Sequence, residues 1–254
     1  MKTSNKILAI SFFLLFIIAI STMAFIRANS EAQAPIEATG KRTARTENIN
    51  FKKLEMLDIS VGNVTLVQGE PKVEITCAEN IHEFLNKSYD HSKGLYEIGL
   101  KSGSFNNLDV AIKISANNLK NIVTSRNAYL SSEAVLDFDN INLTTSGGAS
   151  IDIELNANQL TVRSSDGSRV TLGGKVKEVL ATASNAGAIY ARDLSSETLD
   201  AQISDAGRLS IRVEEELSAT VSNAGVLKYM GHPEIKRQKI TDAGRLTKLD
   251  DVNE

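Results

Sequence analysis

A six-residue phrase that recurs seven times between Ser125 and Leu246 constrains the fold of this chain more than any other feature. Successive copies begin 21, 19, 19, 20, 18 and 19 residues apart. A fixed period of about 20 residues is typical of stacked coils, because one coil cannot bury its apolar face alone and has to cover its neighbours. The copies start with Ser or Thr and end with an aliphatic residue: Ser125–Leu130, Ser146–Ile151, Ser165–Val170, Ser184–Ile189, Ser204–Leu209, Ser222–Leu227 and Thr241–Leu246.

The residues that flank each copy alternate between apolar and polar types. Before the third copy, Leu160 and Val162 alternate with Thr161 and Arg163. A period of two residues predicts a β-strand with one buried and one solvent-facing side. We therefore predict an all-β fold, a parallel β-solenoid with about 19–20 residues per coil, in which each phrase is a corner between two strands.

Small and turn-forming residues occupy the middle of the last four phrases, which read Asn-Ala-Gly or Asp-Ala-Gly. Glycine favours turns that need a positive φ, and Asn or Asp can hydrogen-bond to its own turn backbone. We predict that the glycines supply the positive φ and that their role is structural. They are Gly187, Gly207, Gly225 and Gly244.

The second position of the phrase alternates between acid and amide along the stack. Identical corners would place these residues about 4.8 Å apart, so alternation keeps the carboxylates two coils from each other. The series is Asp166, Asn185, Asp205, Asn223 and Asp242.

Three arginines follow these carboxylates at a spacing of three residues, so an ion pair within each coil is open to them. They are Arg169, Arg208 and Arg245. We interpret the acid–amide ladder as structural and the arginines as candidate surface contacts; contact of the ladder with a ligand, or catalysis by it, are the alternatives.

Residues that could carry metal or catalytic chemistry are few. His82, His91 and His232 lie apart without ligand spacing, and the single cysteine, Cys77, continues an inward alternation typical of a buried residue. Nucleophile-elbow, phosphate-loop and dinucleotide motifs are missing from the sequence. We predict no catalytic residue, cofactor or metal, and the net charge of −3 predicts no binding of nucleic acid.

An apolar run near the N-terminus decides the predicted compartment. Lys2 and Lys6 precede an uncharged run over residues 7–26, which as a helix reaches about 30 Å, the thickness of the hydrocarbon core of a bilayer. We predict a membrane anchor here, with a cleaved signal segment as the alternative. The predicted organisation is: 1–26 anchor or signal; 27–47 flexible tether; 48–249 head, irregular over 48–124 and regular over 125–249; 250–254 tail.

The irregular part of the head shows shorter patterns. Three short strands end at Val61, Leu66 and Cys77 and are separated by tight turns, whereas Ile81–Tyr89 has the apolar spacing of about two helical turns. Two further strands follow over residues 95–100 and 108–115.

Several of these features together resemble a known family. They are the Phe51-x-x-Leu54 start, a hairpin at Gly69-Glu-Pro71, the strand that begins at Val110 and ends at Leu119, and the Ser-Asn/Asp-Ala-Gly corners. Residues 48–249 are similar in these respects to the auto-transporter adhesin head GIN domain of exported bacterial proteins. The resemblance implies a right-handed β-helical head with an adhesin role, and it implies no catalytic residues.

We accordingly predict a non-enzymatic protein of the bacterial cell envelope, with its head outside the cytoplasm. The head would bind a surface protein or a glycan. Two alternatives stay open at this stage: a β-helix enzyme that acts on polysaccharide, and a self-assembling structural protein of the envelope.

Overall fold

The computed structural model describes Ser21, residues 35–47 and residues 53–250. It divides into two compact units. In the small unit, β1 (Ile36–Glu37) pairs in parallel with β8 (Phe105–Asn106), and Asn106 Nδ2 donates a hydrogen bond of 2.8 Å to Glu37 Oε1. The large unit contains the repeats.

The described residues include no helix with the length and apolar content needed to cross a bilayer. The predicted anchor or signal segment over residues 1–26 lies outside them, apart from Ser21. The predicted flexible tether contains the five-residue strand β2 (Arg42–Thr46), which pairs antiparallel with β5 (Lys72–Ala78), so the prediction was wrong for these residues. Backbone hydrogen bonds to the edge of the sheet order this segment. Its polar side chains do not predict a strand, because the pairing depends on the backbone alone.

The repeats fold as predicted into stacked coils of β-strand. In strand β13 (Ser150–Ser164), Ile151, Ile153 and Leu155 are buried, and so are Leu160 and Val162. The phase of the alternation changes by one residue near 156–158, because the chain bends there. Each coil therefore consists of a corner, a first leg, a bend and a second leg that leads to the next corner.

Successive coils pair in parallel and in register. Arg169 pairs with Ala188 on the next coil, Ala188 with Arg208, and the column continues through Val226 to Arg245. The register shifts near the bend, between Thr171 and Gly173 and again between Ala191 and Ser195. The strands of this part are β10 (Asn121–Thr124), β11 (Tyr129–Ser132), β12 (Leu136–Thr145), β13, β14 (Arg169–Ala183), β15 (Ala188–Ile203), β16 (Arg208–Val221), β17 (Val226–Met230), β18 (Glu234–Ile240) and β19 (Arg245–Lys248).

The N-terminal part does not add coils in chain order. Its strands are β3 (Met56–Ile59), β4 (Asn63–Val67), β5, β6 (Leu85–Asp90), β7 (Leu95–Leu100) and β9 (Ala111–Ser115). The coil formed by β3 and β4 lies between two coils that come later in the sequence: β3 pairs in parallel with β10 on one side and with β7 on the other. Likewise β4 lies between β11 and β9.

Antiparallel strands close this end of the solenoid. Strand β5 pairs antiparallel with β9, and β6 pairs antiparallel with β7. The hairpin predicted at Gly69-Glu-Pro71 was wrong, because β9 lies between β4 and β5 and pairs with both. The helix predicted over Ile81–Tyr89 was also wrong: a 3₁₀ helix (Glu79–Phe84) leads into β6, whose backbone satisfies the open edge of β7.

The last coil is the most exposed part of the solenoid. Ile235 and Ile240 occupy interior positions, opposite Leu217 and Val221, yet they are 38% and 40% exposed. Charged side chains of β18 fold back on earlier coils, since Lys236 pairs with Glu216 at 3.4 Å and Arg237 with Asp200 at 2.9 Å. Charges of this kind discourage the pairing of an exposed sheet edge with another chain.

Candidate functional site

All seven corners are tight turns of one type. In each, the N–H of the fourth residue donates to the carbonyl of the first, at distances from 2.7 Å in Gly187 to Ser184 to 3.2 Å in Ala149 to Ser146. Both central residues have a positive φ, as in Asn185 at 46° and Ala186 at 61°. This is the geometry of a type I′ turn, which Asn and Asp tolerate at its first central position.

The glycines of the last four corners do not supply the positive φ, so that prediction was wrong. The positive φ falls instead on the Asn or Asp and on the alanine that precede each glycine. A Cβ on Gly187 would lie 2.2 Å from the carbonyl oxygen of Ser164 on the preceding coil, and one on Gly207 would lie 2.3 Å from that of Ala183. These glycines are needed because neighbouring backbones approach closely.

The corners are joined by backbone hydrogen bonds and by pairs of side chains. The second central N–H of a corner donates to a carbonyl of the next corner, as in Ala206 to Asn223 at 3.0 Å. Asn223 Nδ2 donates back to Asp205 Oδ1 at 3.0 Å, and Asn185 Nδ2 donates to Asp166 Oδ1 at 3.2 Å. Hydrogen bonds from Ser204 and then Asn223 lower the pKa of Asp205.

The candidate contact arginines lie beside the corners on an exposed strand face. Within the described residues, neither Arg169, Arg208 nor Arg245 forms an ion pair with the aspartate of its own coil. The guanidinium of Arg169 instead lies 5.5 Å from the centre of the Tyr190 ring. From the second corner to the last, the corner side chains are short and exposed, so this side of the regular coils carries a row of small groups.

A groove follows the opposite side of the coils, where the bends stack. A cleft of 470 Å³ and a second of 360 Å³ share Asp137 and Phe138, and we call the two together the edge groove. Residues from five successive coils line it: Asn117, Asn118, Leu119, Lys120, Asn121, Asp137, Phe138, Asp139, Asn140, Asn142, Asn156, Ala157, Asn158, Lys175, Val176, Lys177, Ser195 and Glu197.

The register of the strands divides the edge groove into an apolar floor and polar walls. Phe138, Ala157 and Val176 pair in succession on neighbouring coils and form the floor. The residues just before them, from Asp137 through Asn156 to Lys175, form one wall in the same register. Phe138 is half-buried, so one part of its ring is left open to the groove.

Hydrogen bonds between coils hold part of the walls in place. Asn156 Nδ2 donates to Asp137 Oδ1 at 2.9 Å, and Asn158 Nδ2 donates to Asp139 Oδ1 at 2.6 Å. Lys175 and Lys177 are exposed, and in the part of the chain that the structure describes neither forms an ion pair. The groove therefore offers fixed carboxylates, amides and two unpaired ammonium groups around an apolar strip.

A smaller cleft of 270 Å³ near the N-terminal end contains two carboxylates. Asp58 and Glu97 pair in register on β3 and β7, with Arg126 at the rim of the cleft. Burial, and next the charge of Glu97, raise the pKa of Asp58. The described residues contain no group of three or more His, Cys, Asp or Glu side chains placed to hold a metal ion.

The three histidines and the cysteine take no part in these clefts. Cys77 is fully buried, and burial raises the pKa of its thiol. His82 is also buried; its Nε2 lies 3.1 Å from both the hydroxyl and the carbonyl oxygen of Thr43, and burial lowers its pKa.

Sequence reasoning missed the edge groove because it concentrated on the corners. A signal was present, since Asp137, Asn156 and Lys175 are 19 residues apart and each directly precedes an apolar residue. The second period of 19 residues, out of phase with the corners, marks the stacked bends.

Comparisons with known proteins agree with this architecture. A family model described as putative auto-transporter adhesin, head GIN domain, matches residues 50–233. No curated protein matches the chain.

Solved structures of similar fold include proteins from Bacteroides and Parabacteroides species. A protein from Bacteroides fragilis described as a putative adhesin is 22% identical, with a TM-score of 0.76 over 85% of this chain and 99% of its own. A putative adhesin from Parabacteroides distasonis is 18% identical, with a TM-score of 0.68 over 84% of this chain and 99% of its own. A third structure, described as a putative lipid binding protein from Parabacteroides distasonis, is 16% identical, with a TM-score of 0.61 over 85% and 99%.

At these identities the structural likeness shows the fold alone, whereas the family model spans most of the chain, including the edge groove and six of the seven corners in full. The chain belongs to the family of auto-transporter adhesin head GIN domains.

Proposed function

We propose that this protein is a non-enzymatic component of the cell envelope whose solenoid head binds a glycan through the edge groove. The observation that carries the proposal is the apolar floor of Phe138, Ala157 and Val176 between polar walls, repeated in register over successive coils. A surface protein that presents a similar mixture of groups is the second partner that this groove could bind.

A sugar chain suits the groove for chemical reasons. A sugar ring has an apolar face of C–H groups that can pack on an aromatic or aliphatic strip, and hydroxyl groups at its edge that donate and accept hydrogen bonds. The walls offer carboxylates and amides whose orientation is already fixed, as in the bond from Asn156 to Asp137. Fixed groups lower the entropy lost on binding. The groove also runs across several coils, which suits a linear chain.

The adhesin descriptions of the family and of two similar structures support a role in binding at the cell surface. An exported head is consistent with the apolar run over residues 7–26, which we propose as a membrane anchor or a signal segment. Lipid binding, which the third structure's description names, suits this groove less well, because charged side chains such as Lys175 and Glu197 line its open walls.

The corner ladder has a structural role in this proposal. The bonds from Asn185 to Asp166 and from Asn223 to Asp205 tie successive coils together, and the arginines beside them stay candidate contacts for a separate surface partner.

The enzyme alternative now has a specific site to test, which is the pair Asp58 and Glu97. Two carboxylates on neighbouring strands, one with a raised pKa, can in principle cleave a glycosidic bond. Release of reducing sugar from a bound polysaccharide, lost on Glu97→Gln, would favour this alternative. We expect no release.

The proposal is tested by screening the full-length chain, purified in mild detergent, on a glycan array. We expect binding to a subset of glycans, and we expect Phe138→Ala to weaken it by about tenfold, because the central apolar contact is lost. Tyr190→Ala removes an exposed aromatic ring from a strand face outside the groove and should leave binding unchanged.

Equal losses in the two variants would place the binding surface elsewhere. Binding to no glycan on the array would contradict the proposal and leave a surface protein as the partner.

A further inference from the structure

We infer that the edge groove selects acidic oligosaccharides and that Lys175 and Lys177 bind the anionic group of the sugar. This inference rests on the proposed function and adds the chemical class of the ligand. It depends on the state of the two lysines, on the placement of the groove's carboxylates, and on the direction of the apolar floor.

The two lysines flank one floor residue. Val176, between them in the sequence, is buried with 3% exposure, so the side chains of Lys175 and Lys177 both lie on the outer surface of the same coil. Lysines elsewhere in the large unit often have a carboxylate partner, such as Lys120 with Glu55 at 2.8 Å and Lys236 with Glu234 at 2.7 Å. The described residues provide no such partner for Lys175 or Lys177.

The carboxylates on the asparagine side of the groove lie too far from the lysines to neutralise them. Asp137 and Asp139 lie on a coil two steps away, about 10 Å at the spacing of parallel strands, which is about one Debye length at 0.1 M salt. The intervening coil carries Asn156 and Asn158, whose amides are committed to those two carboxylates. On this side, the lysines therefore face amide groups and not charges.

Glu197 lies on the other side of the lysines, one coil further on, at the position of the strand register that faces Lys177, and it lines the same cleft. Its carboxylate would oppose an anion bound on that side. An acidic group is consequently placed on the asparagine side of the lysines, where two ammonium groups can hydrogen-bond to it and Glu197 is most distant. Charge-assisted bonds of this kind are the stronger hydrogen bonds in proteins.

The rest of a sugar chain can extend along the groove away from Glu197. From the lysines the floor continues through Ala157 to Phe138, so the next ring can pack on the aromatic side chain. Its hydroxyl groups can donate to Asp137 and Asp139, which accept from Asn156 and Asn158 through one oxygen and keep further acceptor capacity. An acidic ring followed by a neutral ring would meet the two lysines first and the two aspartates second.

Isothermal titration of the full-length chain in mild detergent tests the inference with three probes: a disaccharide of one uronic acid and one neutral hexose, its carboxyl-reduced counterpart, and the reduced disaccharide with a sulfate on its first ring. We expect the acidic probes to bind about tenfold more tightly than the reduced one, and more weakly as NaCl is raised. The double variant Lys175→Gln with Lys177→Gln should lose about tenfold for acidic probes and little for the reduced probe. Preference between the two acidic probes identifies carboxylate or sulfate as the anionic group.

The matched control is Arg163→Gln with Lys239→Gln, which removes the same charge from exposed positions on the second-leg face, outside the groove. It should change binding less than twofold. Equal affinity of the reduced and acidic probes, or an equal loss in both double variants, would overturn the inference. In that case, binding that is still lost on Phe138→Ala would leave the proposed function standing, whereas binding of no probe would count against both.

Discussion

The regular coils and the N-terminal part of the head arrange their strands in two different ways. In the regular coils, the strand that follows in sequence is also the neighbour in space, as in β13, β14 and β15. In the N-terminal part, β3 lies between β10 and β7, and antiparallel strands complete the end. The comparison teaches that a repeat can extend a solenoid but cannot end it, because an end needs strands that run the other way or carry charge.

The two ends of the solenoid also differ in how well they are covered. At the N-terminal end, β5, β6 and the 3₁₀ helix cover the stack, and their own apolar residues, such as Ile75 and Ile81, are almost fully buried. At the C-terminal end, Ile235 and Ile240 stay exposed beside the paired charges of β18. The C-terminal end therefore relies on charge, and this is the part where self-assembly, the remaining structural alternative, would begin.

The largest expected effect lies in the close packing of the regular coils. Gly207→Ala places a methyl group 2.3 Å from the carbonyl oxygen of Ala183, so the coils have to separate, and we expect a loss of about 3 kcal/mol in the free energy of unfolding. Gly167→Ala is the control, since its Cβ would meet nothing within 4 Å and only the positive φ of 71° opposes it, at a cost of about 1 kcal/mol. Urea unfolding measures both free energies. Equal losses would show that the close approach of neighbouring coils is not the reason for a glycine at position 207.

The next effect tests the acid–amide ladder. Asn223→Asp puts a second carboxylate beside Asp205 in place of the amide that donates to it, and we expect a loss of about 1 kcal/mol at low salt and neutral pH. Asn63→Asp makes the same change at an exposed position in the N-terminal part and should cost less than half as much. If the two thermal midpoints fall by the same amount, the ladder has no special role.

The smallest effects concern pH and have opposite signs in the two regions. Hydrogen bonds lower the pKa of Asp205 below its ordinary 3.8, so its ionised form stabilises the fold above that pH, and this contribution is lost as the pH falls through the lowered pKa. The pKa of Asp58 is raised by burial and by Glu97, so its contribution is present below pH 3.8 and is lost as the pH rises through the raised pKa.

At pH 7 we therefore expect Asp58→Asn to raise the thermal midpoint slightly and Asp205→Asn to lower it. Both differences should shrink as the pH is lowered toward 3, where the carboxyl groups of the parent protein take up protons. A midpoint that Asp58→Asn lowers at pH 7 would contradict the assignment for the N-terminal part.

The sequence predicted those features that depend on residues within a single coil. The period, the seven corners and the inward alternation of residues such as Ile151 and Val162 follow from chemistry within one coil, and all were predicted. The role of Gly187 was not, because the clash that excludes a side chain comes from Ser164 on another coil.

The N-terminal part and the edge groove were missed for the same physical reason. Whether Gly69-Glu-Pro71 makes a hairpin depends on β9, more than thirty residues later, which takes the place of the expected partner. The floor from Phe138 to Val176 likewise exists only when three coils stack in register. Pairing between distant segments decided both, and no pattern within a short window carries that information.

Hydrogen–deuterium exchange at the corners tests the stacked register most directly. The N–H groups of Ala186, Ala206 and Ala224 donate to the next corner at 2.9 to 3.0 Å, whereas within residues 53–250 the N–H of Ala243 in the last corner has no such acceptor. We predict slow exchange at the first three and fast exchange at Ala243. Equally fast exchange at all four alanines would contradict the account, because corners that do not stack leave all four groups open to water.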